Sequence, residues 1–556
     1  MDRDRLLFMS PIRAKMTPGS IDLDGPASSS PRTEPGDTAA TDSNPNEPEP
    51  EQTPPEYEPS PSERPRVSRR ARVWSRPGRD PGAFLRVPKN RRTLSDNPKT
   101  ARARPVFGED EVREVISLAI PALGSLLADP LMSLVDTAVV GRHGSTSLAA
   151  LGPNTAVFQI VFQIFSFLSI TTTGMVARAC ADGDNRTVRR ALANSTILAL
   201  AFGGATCLGL NLFAEDVLRV IGCSPDLVGA AAPYLRVRAF AIPAVLFCTS
   251  AQGGCLGQQD AKTPLLIFLG AGVVNVAGDL WAVSGSGLNL GLTGAAWATL
   301  AAQYISAAVF LLVLSRRRML PTRWSRWRLP TSGEMRDITA VSGMLLLGSL
   351  CRMGVYTMMT MTALALGTLT MAAHQVALQI FWTLTYFVDP LFVAATSFIA
   401  RDHGRRPTRV RRMAATLMGL SLGAGCVIAV ACAAIPTFAV GVFTADLELQ
   451  ALIRTITPLM GLSQLVSALV LVTEGVLIGC GDLKYLLNVH CLNFVVLAGV
   501  LWWVKRSSAG LWGIWVAVLM NQTLRMAQHG AHMWRGGGPD LFARDQTAEG
   551  KSGDGI

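Results

Sequence analysis

Residues Val115 to Gly141 read VISLAIPALGSLLADPLMSLVDTAVVG, a stretch that is long and apolar enough to cross a bilayer as a helix. It nevertheless carries two acids, Asp129 and Asp136. On insertion scales, a carboxylate at the centre of a membrane helix costs about 2.5 to 3.5 kcal/mol. Seven residues are roughly two helical turns, so both acids lie near one face, about 10 Å apart along the axis. This pattern predicts a spanning helix that lines a polar cavity.

The composition divides the 556 residues into a polar beginning, rich in Pro and Arg, and a long series of apolar segments. The chain is 49% hydrophobic and 16% charged, with a formal net charge of +11, and fourteen of its Lys and Arg residues lie between Arg64 and Arg104. Because this basic run adjoins a membrane segment, it predicts attraction to an anionic membrane surface, and we expect lipids but no nucleic acid as partners. The ten cysteines lack CxxC or Cys/His ligand spacing, which argues against a metal site and a disulfide framework.

The two ends of the chain are predicted to be disordered tails. Residues 1–107 are rich in Pro and Arg and cannot bury enough apolar area to offset chain entropy, and we expect the same of residues 536–556. The basic beginning, with Arg3, Arg5 and Arg13, resembles an organelle transit peptide. The acidic, proline-rich stretch at 44–65 argues against that interpretation, so both remain open.

Between the tails, the apolar segments predict an all-α polytopic membrane protein with twelve transmembrane helices. The predicted spans are Val115–Gly141, Leu148–Val176, Ala191–Phe213, Ala230–Gly254, Leu265–Val283, Thr293–Leu314, Ile338–Leu364, Met371–Ala400, Met413–Phe438, Ile453–Ile478, Leu486–Val504 and Leu511–His532.

Arginine is concentrated in alternate loops. The loops after the second, sixth and eighth spans contain Arg178 to Arg190, Arg316 to Arg336 and Arg401 to Arg412, whereas the opposite set is poor in cations. By the positive-inside rule, both termini and the basic linker at 316–336 face the cytoplasm, or the stroma of a plastid. The sequence does not distinguish the plasma membrane, the vacuole and the plastid envelope.

The two halves of the chain form an internal repeat. Ala149-Ala150 matches Ala372-Ala373 and Arg178 matches Arg401 at an offset of 223 residues. The later match of Gly257 with Gly479 has an offset of 222, and that of Gly291 with Gly510 has one of 219. Six spans per half make the repeat parallel, which predicts two six-helix lobes, at 108–315 and 337–535, with a cavity between them.

This architecture indicates a transporter. An intramembrane hydrolase would need paired acids or a Ser/His pair in a catalytic context, whereas Asp129 and Asp136 share one helix. A receptor or scaffold would not account for the repeat of six spans. We therefore expect that the chain is not an enzyme.

Four stretches resemble the multidrug and toxic compound extrusion (MATE) family, and most closely its plant and bacterial branch. They are DPLMSLVDTAVVGRHGSTSLAALG from Asp129, GCLGQQDAKTP from Gly254, GLTGAAWAT from Gly291 and TMAAHQVALQ from Thr370. The resemblance implies two lobes, alternating access and export of small organic compounds in exchange for protons or sodium ions. It implies a small-molecule substrate, no cofactor beyond the coupling ion, and a chain that we expect to act as a monomer.

The resemblance also implies a cation site in the first lobe. The family's first-helix acid matches Asp136, its fifth-helix Asn and Asp match Asn275 and Asp279, and its sixth-helix threonine matches Thr299. Asn275 and Asp279 are four residues apart and so share a helix face. Carboxylate, amide and hydroxyl oxygens suit a proton or a hard monovalent cation.

The other polar residues inside the predicted spans are candidates for the substrate cavity. They are Asp129, Arg352, Asp389, Glu474, Gln159 and Gln163. Arg352 is the repeat counterpart of Asp129, and a membrane-depth arginine needs an acid or water. We expect it to pair with Asp129, Asp389 or Glu474, or to face the cavity. The two glutamines are equally consistent with contacts between helices.

Two alternatives remain at this point. The major facilitator fold also has six plus six spans in parallel repeats, and GDNRTVRR at Gly183 to Arg190 loosely resembles its loop after the second helix. A MATE-related lipid flippase would share much of this pattern, with more helices and a more cationic cavity. The identity of the substrate and the coupling ion are not evident from the sequence.

Overall fold

The computed structural model describes residues 109–141, 145–283, 290–321, 331–438, 446–507 and 509–536. Almost all of the two predicted disordered tails lies outside the described residues, as does the middle of the basic linker, residues 322–330. Within these ranges the chain is almost entirely helical. We call the helices before the linker the N-lobe and those after it the C-lobe.

The N-lobe contains nine helices in the described residues. They are α1 Glu109–Gly141, α2 Ser145–Phe165, α3 Phe167–Ala181, α4 Asn185–Leu212, α5 Ala214–Ile221, α6 Pro225–Ala239, α7 Ile242–Gly257, α8 Lys262–Val283 and α9 Gly291–Arg316.

The C-lobe contains seven helices in its described part. They are α10 Ser332–Ala365, α11 Thr368–Thr385, α12 Asp389–Asp402, α13 Pro407–Phe438, α14 Leu447–Cys480, α15 Leu483–Arg506 and α16 Gly510–Trp534.

Three predicted spans consist of two helices each. The second span is α2 followed by α3, the fourth is α6 followed by α7 with a bend of 48°, and the eighth is α11 followed by α12 with a bend of 42°. Pro243 and Pro390 are the second residues of α7 and α12. Proline lacks an N–H, so it is favoured at the first positions of a new helix. The sequence analysis also missed α5, a short helix that ends at Gly222 in the left-handed region (φ 96°).

The helices account for the twelve predicted spans. In the described part of the chain, nine helical spans are long and apolar enough to cross a membrane, and the two bent pairs raise the number to eleven. The twelfth predicted span corresponds to α16, a 25-residue helix that is the repeat counterpart of α9. It is not among the helices that are apolar enough by composition, and its buried residues include Asn521, Gln522, Arg525 and His529.

The repeat is visible in where the helices begin. Helices α1 and α10 begin 223 residues apart, as do α2 and α11. Helices α9 and α16 begin at Gly291 (φ 54°) and Gly510 (φ 56°), a left-handed backbone that glycine adopts without steric cost. One difference stands out, because the counterpart of the bent pair α6 and α7 is α14, a single 34-residue helix.

The lobes pack against each other through the first half of α1 and the helices around it. Helix α1 packs on α12 and α13, and α3 packs on α10 and α12. Leu118 and Ala122 of α1 belong to the same buried apolar cluster as Phe398 of α12 and Met413 of α13. Burial of this surface holds the lobes together near the beginning of α1.

The same end of the molecule carries a network of charged contacts between the lobes. Glu114 accepts from Arg401 (2.9 Å) and from Arg409 (2.7 Å), and Arg178 donates to the Gly479 carbonyl (2.6 Å). Arg405 forms an ion pair with Asp182 (2.7 Å). The repeat counterparts Arg178 and Arg401 therefore each reach into the opposite lobe, and the network closes the arginine-rich end.

Candidate ion and substrate sites

The structure brings the four predicted cation-site residues together inside the N-lobe. Asp136 lies on α1, Asn275 and Asp279 on α8, and Thr299 on α9, and each is at most 3% exposed. The Thr299 hydroxyl lies 3.5 Å from Asp136 Oδ2, and Asn275 Nδ2 lies 3.3 Å from that hydroxyl. Helix α8 packs against both α1 and α9, which places its Asn275–Asp279 face between the other two.

Two carboxyl groups meet in this site. The Asp136 and Asp279 carboxyls are within hydrogen-bonding reach of each other, a contact that forms only when one of them carries a proton. In the described residues, Asp136 Oδ1, both Asp279 oxygens and Asn275 Oδ1 are buried without another hydrogen-bond partner. Buried oxygens of this kind are costly unless a proton or cation satisfies them.

Arg238 on α6 completes the site, and the sequence analysis missed it. Its Nη1 lies 3.5 Å from Asp136 Oδ2 and 2.7 Å from the Tyr234 hydroxyl, and its guanidinium stacks over Phe158 at 5.0 Å. An arginine inside a predicted span was the signal that could have identified it. Together, Asp136, Asp279, Asn275, Thr299 and Arg238 form what we call the N-lobe cluster.

Asp129 occupies a different place, although it shares a helix with Asp136. Its side chain is exposed in a cavity of about 90 Å³, which is also lined by Ser125, Gln252, Phe268 and Gln303. Gln303 lies within hydrogen-bonding reach of the Asp129 carboxyl. A cavity of this volume with several polar groups can hold water molecules or part of a small ligand.

The structure does not bring all of the predicted cavity residues together. Gln159 is exposed on α2 and Gln163 is half-buried, and neither lines the cavity at Asp129. Asp389 begins α12 and interacts electrostatically with Arg352. Arg352 and Glu474, in contrast, are direct partners.

A second charged cluster lies in the C-lobe and is centred on Glu474. This carboxylate is 1% exposed and contacts Arg352 (3.1 Å), Arg525 (2.7 Å) and His490 (2.8 Å). Of the partners that the sequence allowed for Arg352, the structure selects Glu474. Arg525 and His490 were missed, although both are charged or titratable residues inside predicted spans. We call these four residues the C-lobe cluster.

The C-lobe cluster borders a small cavity of about 10 Å³, roughly the space of one water molecule. Its lining includes Arg352, Arg525, His490, Asn493 and Asn521. The Nε of Arg525 is buried without a hydrogen-bond partner in the described residues. The cavity therefore offers the N–H donors of two guanidinium groups beside the amide groups of Asn493 and Asn521.

The fold and these sites define a polytopic membrane protein of the transporter class, with buried charge in each of two repeated lobes. Comparison with known families assigns it further. The model of the MatE family matches residues 121–281 and again residues 345–504, once in each lobe. The chain belongs to this family, and the major facilitator alternative is thereby set aside.

The relatives agree with this assignment. The chain is 30% identical over 417 residues to Protein DETOXIFICATION 47, chloroplastic, of Arabidopsis thaliana, covering 74% of this chain and 76% of that protein. It is 28% identical over 491 residues to Protein DETOXIFICATION 44, chloroplastic, of the same plant, covering 84% and 91%. Among solved structures, the Vibrio cholerae MATE transporter VcmN in the bent form shares the fold at a TM-score of 0.69 and 18% identity, covering 76% and 97%.

Proposed function

We propose that this chain is a secondary active exporter that acts as a monomer and exchanges a small organic compound for protons bound at the N-lobe cluster. The observation that carries the proposal is the contact between the Asp136 and Asp279 carboxyls. Two carboxylates in one buried site repel each other, so the pair holds one proton readily and releases it when the site is exposed to a more basic solution. That cycle is what an antiporter requires.

Arg238 favours a proton over a sodium ion as the coupling ion. Arg238 and the two acids together have a net charge of zero when the acids share one proton and −1 when they hold none. A sodium ion would have to enter beside the guanidinium, whose Nη1 is already 3.5 Å from Asp136. The nearby cation repels it, whereas a shared proton needs no further coordination. Sodium is the second candidate because the unpartnered oxygens of Asp279 and Asn275 are suitable ligands for it.

The experiment uses full-length protein reconstituted in liposomes. Ethidium and radiolabelled benzoate serve as cationic and anionic cargo, and either a pH gradient or a sodium gradient is imposed. We expect that the pH gradient alone drives export and that Asp136→Asn abolishes it. Asp226→Asn, which neutralises an exposed acid in the first turn of α6, is the matched control and should transport normally.

Three outcomes would contradict parts of the proposal. Export driven by sodium at uniform pH would replace the proton by sodium. Normal pH-driven export by Asp136→Asn would remove the N-lobe cluster from coupling. Failure of both gradients to move either cargo through the wild-type protein would argue against antiport altogether.

We further propose the plastid envelope as the host membrane, with both termini and residues 316–336 on the stromal side. The two Arabidopsis relatives described as chloroplastic and the basic alternate loops support this assignment. A fluorescent fusion of the full chain should outline the plastids of a plastid-bearing cell. Single cysteines read with an impermeant thiol reagent on intact plastids should react near Pro225 but not near Arg316, and the reverse pattern would invert the orientation.

A further inference from the structure

Arg352 and Asp129 occupy equivalent places on the two lobes, and each lines a small cavity within its own lobe. On α1, Asp129 follows Leu118 by eleven residues and Ala122 by seven, spacings that keep residues on nearly the same face of a helix. Those two residues belong to the apolar cluster that α1 shares with α12 and α13. Asp129 lies on nearly the same side of α1 further along the helix, where its side chain lines the N-lobe cavity with residues of α7, α8 and α9.

The same spacings hold on α10. Arg352 follows Val341 by eleven residues and Leu345 by seven, and these residues share an apolar cluster with Ile170 and Met175 of α3. Arg352 is 29% exposed, whereas Glu474, Arg525 and His490 are between 2% and 9% exposed. It is thus the accessible member of the C-lobe cluster.

The C-lobe cluster has an excess of positive charge. Even with His490 neutral, Arg352 and Arg525 face a single acid, Glu474. Asp389 interacts electrostatically with Arg352, but no ion pair joins the two within the described ranges. Asp389 can offset this charge only from a distance, and an anion or water in contact with Arg352 would compensate it directly. A bound carboxylate would do so.

The hydrogen-bonding geometry of Arg352 leaves room for a ligand. Its Nη1 donates to Glu474 and its Nη2 to Ser349 (3.0 Å). A guanidinium has five N–H groups arranged as a fork, so it can keep both contacts and still present N–H groups on its exposed edge. The neighbouring cavity of about 10 Å³ would hold one small polar group, while the remainder of a substrate would lie outside it, along the exposed edge of Arg352.

We propose that the C-lobe cluster is the binding site for the carboxylate of an organic anion, that Arg352 is its direct ligand, and that Glu474 holds Arg352 and Arg525 in place. This inference rests on the proposed export function and adds the substrate class. Arg525, which is buried, acts as a positioning residue that keeps the local charge positive. The carboxylate of the substrate then takes the role that a second acid would have in a neutral cluster.

The test measures binding, so that it can be separated from coupling. Radiolabelled benzoate and succinate are the anionic probes, tetraphenylphosphonium is the cationic probe, and binding is measured on purified full-length protein in detergent. We expect saturable benzoate or succinate binding to the wild type and at least a tenfold weaker affinity for Arg352→Gln. Arg352→Lys, which keeps the charge but loses the fork, should fall between them. Arg406→Gln, at an exposed arginine of the C-lobe, is the control.

Glu474 retains Arg525 and His490 in the Arg352→Gln protein, which should therefore remain folded and monodisperse. Asp136→Asn should abolish gradient-driven export while retaining benzoate or succinate binding, which distinguishes a failure of coupling from a failure of this site. The proposal is overturned if neither carboxylate binds the wild type saturably. It is equally overturned if Arg352→Gln weakens tetraphenylphosphonium as much as the carboxylates, or leaves carboxylate affinity unchanged.

Discussion

The N-lobe cluster and the equivalent positions of the C-lobe differ completely in chemistry. At the repeat offsets, Asp136, Asn275, Asp279 and Thr299 correspond to Met359, Leu497, Leu501 and Val518. All four counterparts belong to one buried apolar cluster. The same helical framework therefore encloses a group of unsatisfied oxygens in one lobe and a dry core in the other. Of these two equivalent places, the one in the N-lobe can take up a proton.

The reverse holds for the C-lobe cluster. Arg352 corresponds to Asp129, Glu474 to Gln252, His490 to Phe268 and Arg525 to Ser306. Asp129, Gln252 and Phe268 line the N-lobe cavity, so the two small cavities are equivalent in position and opposite in charge. Each lobe thus concentrates its charge in a different part of the repeated fold. The difference agrees with the proposal that the N-lobe cluster binds the coupling ion and the C-lobe cluster binds the substrate.

The largest expected difference between the lobes is in stability. Glu474→Gln leaves Arg352 and Arg525 without their acid, and breaking a buried ion pair costs about 3 to 5 kcal/mol. Asp279→Asn, by contrast, removes a carboxyl whose buried oxygens accept no hydrogen bond from a cationic side chain in the described residues. We expect a much lower melting temperature in detergent for Glu474→Gln and an unchanged or higher one for Asp279→Asn. Glu474→Gln with Arg525→Gln should recover part of the loss. Equal destabilisation by the two single changes would contradict the comparison.

A smaller effect should follow from removing the cation of the N-lobe cluster. Without Arg238, the two acids hold a proton more tightly, because an opposite charge within 4 to 6 Å favours the ionised carboxylate by about 1 to 3 pH units. The pH of half-maximal export by Arg238→Gln should therefore rise by about that amount. Arg236→Gln, at an exposed arginine two residues earlier that pairs with Glu215, is the control. An unchanged pH profile would separate Arg238 from the acids.

The smallest difference concerns the beginnings of α8 and α15. Asp260 accepts from the Thr263 backbone N–H (3.0 Å) and hydroxyl (2.6 Å) and pairs with Arg317, whereas its counterpart Asp482 makes no side-chain capping bond to α15. Burial opposes the charge of Asp260, but the bonds from Thr263 and Arg317 outweigh it and hold the pKa below its ordinary value of 3.8. Asp260→Asn keeps an oxygen that can accept from Thr263 but loses the charged pairing with Arg317, so it should cost up to about 1 kcal/mol, and Asp482→Asn less.

The sign of the pH dependence follows from that lowered pKa. A carboxylate whose pKa is lower in the folded protein than in the unfolded chain stabilises the fold above the unfolded value. The contribution of Asp260 should therefore be constant near neutral pH and should disappear as the pH falls from 3.8 through the folded pKa. Melting temperatures of wild type and Asp260→Asn should differ at pH 7 and converge in strong acid. A difference that grows in acid would contradict this account.

Much of the architecture could be predicted because each determinant is local or periodic. Apolar length predicts a span, since a helix crossing lipid satisfies its backbone internally. The offset of 223 residues predicts the repeat, and α1 and α10 indeed begin that far apart. The bends were less predictable, because prolines had different effects in different spans. Pro243 lies in the first turn of a new helix, whereas Pro121 and Pro130 lie within the single helix α1.

The sequence by itself determined the number of spans, the repeat and the acids that needed a partner, because an apolar run and a buried charge each have a large local free energy. It did not determine which charges meet. Asp136 and Arg238 are 102 residues apart, and Glu474 and Arg352 are 122 apart. Only the packing of α6 on the N-lobe core, and of α10 and α14 on their shared neighbours α15 and α16, brings these groups within a few ångströms. Electrostatic energy depends on that distance and on burial, and neither quantity exists before the chain is folded.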